Sequence, residues 1–242
     1  MAHKTYINEL KGSNTAILFI HGILGSPRHF EKFVSAVKDK VSVYNILLKG
    51  HGGSVVDFAN TSMEAWKNQV ADVAKYLTGK YDNIYIVAHS MGTFFAIENA
   101  INYPNKVKGL MLMQTPLKIG VKASAVVNTV KTLFDYDDEI TAVYKTMNSI
   151  NLSSHLWEYV DWVPRYVELF RESKRMRGVI NNLETKTVIF QSVKDELVSM
   201  KSVDYIPKKE NIKLNVLENS AHFIYDENEW GCMQQELVNM IK

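Results

Sequence analysis

The stretch Ile84-Tyr85-Ile86-Val87-Ala88-His89-Ser90-Met91-Gly92-Thr93-Phe94-Phe95-Ala96 decides how the chain is read. An apolar run passes without a break into a helical pattern, and a serine stands at the junction. The pattern is G-x-S-x-G on a strand, a turn and a helix, with Ala88 in place of the first glycine. Its requirement is steric: a serine on a strained turn between strand and helix needs small residues two positions before and two after, so that the chains can approach closely. Alanine still meets that need. The helix start also brings main-chain N–H groups and the positive dipole end beside any negative charge developing at the serine. A serine that merely caps a helix after a buried strand is the plainer reading of the same residues.

Working outward, further apolar runs lie at Ala16 to Ile20, Val41 to Leu48, Leu110 to Met113, Thr187 to Phe190 and Ile212 to Leu217, with helical segments between them. This is the pattern of buried parallel strands joined by crossover helices. Thr61 and Glu64 have capping-box spacing, and Trp66, Val70, Val73 and Leu77 then fall on one helix face. At the end of the chain Asp226 and Glu229 stand as cap and third helical residue, before a stripe of Trp230, Met233, Leu237 and Ile241. The fold class expected is α/β, a mostly parallel sheet flanked by helices. One stretch breaks the alternation: between Gly120 and Gly178 there is no glycine and a single proline, Pro164. It reads as a helical insertion over 116–185, leaving 1–115 and 186–242 as the core. Its aromatics, Phe134, Tyr136, Tyr144, Trp157, Tyr159, Trp162, Tyr166 and Phe170, exceed what packing on one sheet face would need.

Composition bounds the function. At roughly 150 residues per domain, 242 residues suit one large domain or a domain with an insertion. The 28 basic residues are nearly cancelled by 26 acidic ones, which speaks against a nucleic-acid partner, since neutralising phosphates needs a basic surplus on one face. The single cysteine, Cys232, supports neither an internal disulfide nor a thiolate metal site. No apolar stretch approaches a membrane span, and Met1 to Leu10 lack the apolar core of a signal peptide. The expectation is a soluble, unprocessed, cytoplasmic chain without stable membrane insertion.

Three further blocks carry chemistry. Phe19-Ile20-His21-Gly22-Ile23-Leu24-Gly25-Ser26-Pro27 follows the first long strand, where a loop N–H could complete an oxyanion hole. Asp195 lies just past the strand that begins at Val188, and His222 just past the next. An open α/β sheet gathers its chemistry at the carboxyl ends of its strands. Serine, acid and histidine in that order, each after its own strand, are hard to obtain by chance. Glu196 and Asp204 are the rival carboxylates; Asp195 is closest to the strand end and has the shorter side chain that usually partners such a histidine.

With His21-Gly22-Ile23-Leu24-Gly25, Gly50-His51-Gly52, Ala88-His89-Ser90-Met91-Gly92 and the Asp195/His222 pair spanning nearly its whole length, the chain resembles an α/β-hydrolase. Within that superfamily it is similar to small bacterial carboxylesterases and monoacylglycerol lipases. The resemblance implies Ser90 as nucleophile, His222 as general base and then acid, and Asp195 as the group orienting His222. It implies an oxyanion hole from the N–H groups of Ile23 and Met91, and a helical lid between the sixth and seventh strands. The expected substrate is a small carboxylic ester, with Trp157, Trp162 and Phe170 of the lid lining the pocket and no metal or organic cofactor required. The same triad could act on thioesters, small amides or carbon–carbon bonds, and a receptor that binds without turnover is the reading outside enzymology.

Other residues have plainer expectations. His21, His51 and His89 lack the helical spacing of a zinc site and read as hydrogen-bonded loop histidines. Arg171, Lys174, Arg175 and Arg177 read as a solvated helix face. Gly50-His51-Gly52-Gly53 has no Lys-Ser/Thr ending and does not open a helix, so it is not read as a phosphate loop.

Overall fold

The structure, a computed structural model, describes residues 3–125, 127, 139–153 and 155–242. Its strands are β1 (Tyr6–Asn8), β2 (Thr15–Ile20), β3 (Ser42–Ile46), β4 (Asn83–His89), β5 (Val107–Met113), β6 (Thr187–Ser192) and β7 (Ile212–Leu217). They form one sheet in the order β1-β3-β2-β4-β5-β6-β7. All neighbours are parallel except β1, which pairs antiparallel with β3. The six apolar runs of the sequence are β2 to β7. β1 escaped that reading because it is three residues long and largely exposed at the sheet edge.

Strands buried on both faces explain the continuous apolar runs. Along β2, Ala16, Leu18 and Ile20 enter one core, while Ile17 and Phe19 enter the core on the opposite face. Helices α3 (Met63–Lys80) and α4 (Gly92–Asn102) cover the first face, through Trp66, Val70, Leu77, Phe94 and Ile97. Helix α1 (Glu31–Val37) and the C-terminal helix α7 (Glu227–Met240) cover the second, through Phe33, Val37, Met233 and Leu237. Asp226 caps α7 as expected, accepting from the N–H groups of Asn228 and Glu229. The cap of α3 is Ser62 rather than Thr61: the Ser62 side chain takes the N–H of Ala65, while the Thr61 hydroxyl turns back to the carbonyl of Phe58. A reciprocal capping box stands instead between Ser54 and Asp57 at α2 (Val55–Ala59).

The departure from alternation falls between β5 and β6. Its described helices include α5 (Glu139–Met147), a 3-10 turn over Leu156–Trp162, and α6 (Val163–Val179). Phe134 and Tyr136 lie outside the described residues. Counted along this chain, the segment leaves after the fifth strand, not the sixth; four apolar runs precede it and β1 adds one. The basic run on α6 is not simply a solvated face. Arg175 pairs with Glu172 and with Glu98 of α4, Lys67 of α3 joins the same cluster, and Arg177 donates from Nε to the carbonyl of Leu117 at 2.7 Å. Of the cations the sequence assigned to water, Arg175 thus fastens α6 to the core, and Arg177 fastens it to the start of its own segment. Among the described residues, no helix is long and apolar enough to cross a membrane.

Candidate active site

β4 lies between β2 and β5, so the residue that ends it emerges near the middle of the sheet's carboxyl edge. There Ser90 takes a φ of 52°, a left-handed conformation that non-glycine residues avoid. Hydrogen bonds hold it in place: its N–H donates to the carbonyl of Met113 at 2.8 Å, and its carbonyl accepts from the N–H and hydroxyl of Thr93. Small neighbours make the turn possible. A methyl group on Gly92 would collide with the carbonyls of Ile20 and His21, and one on Gly22 would stand 2.7 Å from Ser90 Cβ. Ala88, the substitute for the motif's first glycine, is fully buried in the core.

The loop after β6 carries Asp195 and the loop after β7 carries His222, both buried. His222 Nδ1 and Asp195 Oδ2 are 2.8 Å apart. The other carboxylate oxygen of Asp195 accepts the N–H groups of Leu197 and Val198, each at 2.8 Å, so it is held as firmly as the ring it meets. With Nδ1 committed to the carboxylate, Nε2 is the ring nitrogen left for proton exchange. His222 is also fixed against the serine strand: His89 Nε2 donates to the His222 carbonyl at 3.0 Å, and the two rings lie 4.7 Å apart. Of the three carboxylates considered, Asp195 reaches the ring. Glu196 is buried beside it and accepts the main-chain N–H of His222 at Oε2, 3.2 Å away.

Ile23 and Met91 flank Ser90 from two sides, Met91 as the next residue at the start of α4 and Ile23 beyond the Gly22 that packs on Ser90. Among the described residues, neither main-chain N–H donates to a protein acceptor. Leu24 follows with a φ of 56°, so the loop is bent where it passes the serine.

Histidines surround the site without forming a metal cluster among the described residues. His21 accepts the N–H of Leu48 at Nε2, 3.0 Å away, which leaves its Nδ1–H for the carbonyl of Gly22 at 2.9 Å. Burial holds its ring far below the ordinary imidazole range. His89 is lowered likewise, by burial and then by neighbouring His222. Burial takes His51 down to about 4 and His29 to about 3. His29 donates from Nε2 to the carbonyl of Met147 at 3.2 Å and packs on His89 and Phe223.

Ser90 opens into a cavity of about 420 Å³, walled mainly by apolar side chains of the segment between β5 and β6 together with Ile23, Leu24, Leu197 and Val198. Trp162 and Phe170 line it, Trp162 buried with its indole N–H on the carbonyl of Val55 and Phe170 half-exposed. Trp157 does not: it is 69% exposed with its ring against His155, a correction to the expected lining. The aromatics Tyr144, Tyr159, Tyr166 and Phe223 face the cavity as well. The first three belonged to the aromatic excess of the insertion. Phe223 could have been found as the neighbour of His222.

The fold has known counterparts. The sequence profile of the alpha/beta hydrolase fold family matches residues 15–156, and the chain belongs to that family. A metagenome-derived structure described under the lipolytic enzymes LipS and LipT superposes with a TM-score of 0.75 at 17% identity, over 99% of this chain and 97% of that one. The monoacylglycerol lipase of Paleococcus ferrophilus superposes with a TM-score of 0.70 at 14% identity, over 100% and 99%. At that identity the likeness is one of fold. In sequence, an uncharacterized protein of Mycobacterium tuberculosis is 31% identical over 104 residues; the match covers 43% of this chain and 30% of that protein's length.

Proposed function

We propose that this chain is a serine hydrolase cleaving carboxylic esters with apolar acyl groups, of the carboxylesterase or monoacylglycerol lipase type. The observation that carries the proposal is a left-handed serine lining an apolar cavity, next in sequence to His89, which bonds the main chain of a histidine paired with a buried aspartate. Ser90 Oγ attacks the ester carbonyl while His222 Nε2 takes its proton; the collapsing tetrahedral intermediate receives that proton on the departing alcohol, leaving an acyl-enzyme that water hydrolyses by the same route. Asp195 keeps the His222 ring in one tautomer and supports its charged form. The unengaged N–H groups of Ile23 and Met91 would hold the oxyanion. The segment over 116–185 acts as a lid whose side chains receive the acyl group, and the apolar wall is suited to burying it. No step calls for a metal or organic cofactor.

Labelling with a fluorophosphonate, alongside hydrolysis of p-nitrophenyl esters from acetyl to decanoyl, tests the reading. Covalent label on Ser90 with turnover of mid-length esters is expected. Binding of esters without label or turnover would leave a receptor instead.

A further inference from the structure

Glu196 takes no part in the chemistry just described, yet it is buried among the groups that do. A buried carboxylate is tolerated only when its oxygens are used, and both are. Oε2 accepts the main-chain N–H of His222 at 3.2 Å. Oε1 accepts the hydroxyl of Tyr144, which stands on α5 and faces the cavity. The Tyr144 ring also packs edge-on against Phe223, with centroids 5.4 Å apart. The Glu196 carbonyl takes the N–H of Lys122, from the start of the same inserted segment, at 2.8 Å.

His222 itself lies on a loop without regular structure between β7 and α7. Its main chain is held from two sides: the carbonyl by His89 of the core, and the N–H by Glu196. The first hold is independent of the insertion. The second is not, because the carboxylate that provides it is shared with Tyr144.

The geometry points to Glu196 as a positioning residue through which the insertion sets the histidine: one carboxylate joins the Tyr144 hydroxyl to the His222 main chain, so the imidazole is held for proton transfer only while α5 is docked. This rests on the reading of Ser90, Asp195 and His222 as a catalytic triad.

The test compares the parent enzyme with Glu196→Ala, Glu196→Gln, Tyr144→Phe and the Tyr144→Phe/Glu196→Ala double variant. Steady-state kcat and KM on p-nitrophenyl butyrate are measured per active site, counted by the endpoint of fluorophosphonate labelling. Misplacing a catalytic group by about an ångström lowers rates by up to about a hundredfold, so Glu196→Ala should lose about tenfold to a hundredfold in kcat per labelled site with KM within about twofold. Glu196→Gln should recover most of that loss, since its amide oxygen can accept from the His222 N–H and its amino group can donate to Tyr144. Tyr144→Phe should lose severalfold, and the double variant should be no worse than Glu196→Ala alone. The low-field resonance of the His222 Nδ1 proton should move in Glu196→Ala and return in Glu196→Gln.

A Glu196→Ala protein with fewer labelled sites and a lower Tm but an undiminished kcat per site overturns the positioning role and leaves a structural one. Additive losses overturn the link to the insertion. If Glu196→Ala does not fold, Tyr144→Phe decides: an unchanged kcat and an unmoved resonance overturn the inference. A parent enzyme with neither label on Ser90 nor ester turnover overturns the triad reading and this inference with it. An active parent with unimpaired Glu196→Ala overturns the positioning role alone.

Discussion

A methyl group at position 92 would drive into the Ile20 carbonyl, and main chain in the centre of a sheet cannot yield as a flexible side chain would. Gly92→Ala should therefore destabilise the fold by about 1–3 kcal/mol or more, read as a fall in the urea midpoint, whereas Ala88→Gly should leave the serine turn intact; an unchanged midpoint in Gly92→Ala would show that the elbow can relax. At the partner positions, Ser90→Ala should remove turnover and label by at least about a thousandfold with an unchanged Tm. Asp195→Asn should lower kcat by about ten-thousandfold through the wrong His222 tautomer, and an Asp195→Asn enzyme with near-parent kcat would take the orienting role away from Asp195. These positions were legible because their demands are local. A strained turn needs small residues at fixed offsets, and strand ends are visible as the edges of apolar runs. What the chain order could not reveal is that Glu196, next to Asp195, bonds the main chain of His222. Adjacent residues on a loop point in directions that only the folded loop determines.

Along the elements, the sheet strands and the helices packed on them followed from period and burial, while the inserted segment did not. Its aromatics were recognisable as an excess, but their directions depend on helix type. Over Leu156–Trp162 the chain makes a 3-10 turn, with three residues per turn, so Trp157 and Val160 share an outward row. Tyr159 and Trp162 fall on the other side and face the cavity. Selectivity among esters should follow that division. Each buried methylene is worth about 0.8 kcal/mol, or roughly fourfold in kcat/KM per carbon until the cavity is full. Phe170→Ala and Trp162→Ala should flatten or displace the chain-length profile from acetyl to decanoyl, and Trp157→Ala should keep its shape. A profile altered by Trp157→Ala alone would mean that the turn rearranges when substrate enters.

For the whole molecule, the buried histidines make stability depend on pH. His29 and His51 titrate near 3 and 4 in the folded chain and near 6.5 when unfolded, and His21 and His89 are lowered too. Between those values the unfolded chain binds more protons, so stability is fully present above about pH 6.5 and falls as pH drops. At pH 5 His29 and His51 should each remove on the order of 2 kcal/mol. Tm should be level from pH 8 to 7 and drop steeply toward pH 5; a level Tm throughout would show that these rings can be protonated in place.

Part of the inserted segment's hold on the sheet loops runs through main-chain atoms alone. Gly120 and Lys122 donate to the carbonyls of Leu197 and Glu196, Ser199 donates to Lys118, Ser149 donates to Leu24, and Gly52 and Asn151 bond to Ser149 and Gly53. The walls of the cavity, by contrast, are side chains. Lys118, Gly120, Lys122, Ser149 and Asn151 anchor, while Ile119, Val121, Asn148 and Leu152 beside them line the cavity. A lineage, or a mutagenesis library, can exchange side chains such as Ile119, Val121 and Leu152 and sample new cavity shapes while these bonds persist, because a carbonyl is indifferent to which residue supplies the N–H; Tyr144 and Trp162, which line and anchor at once, are outside that freedom.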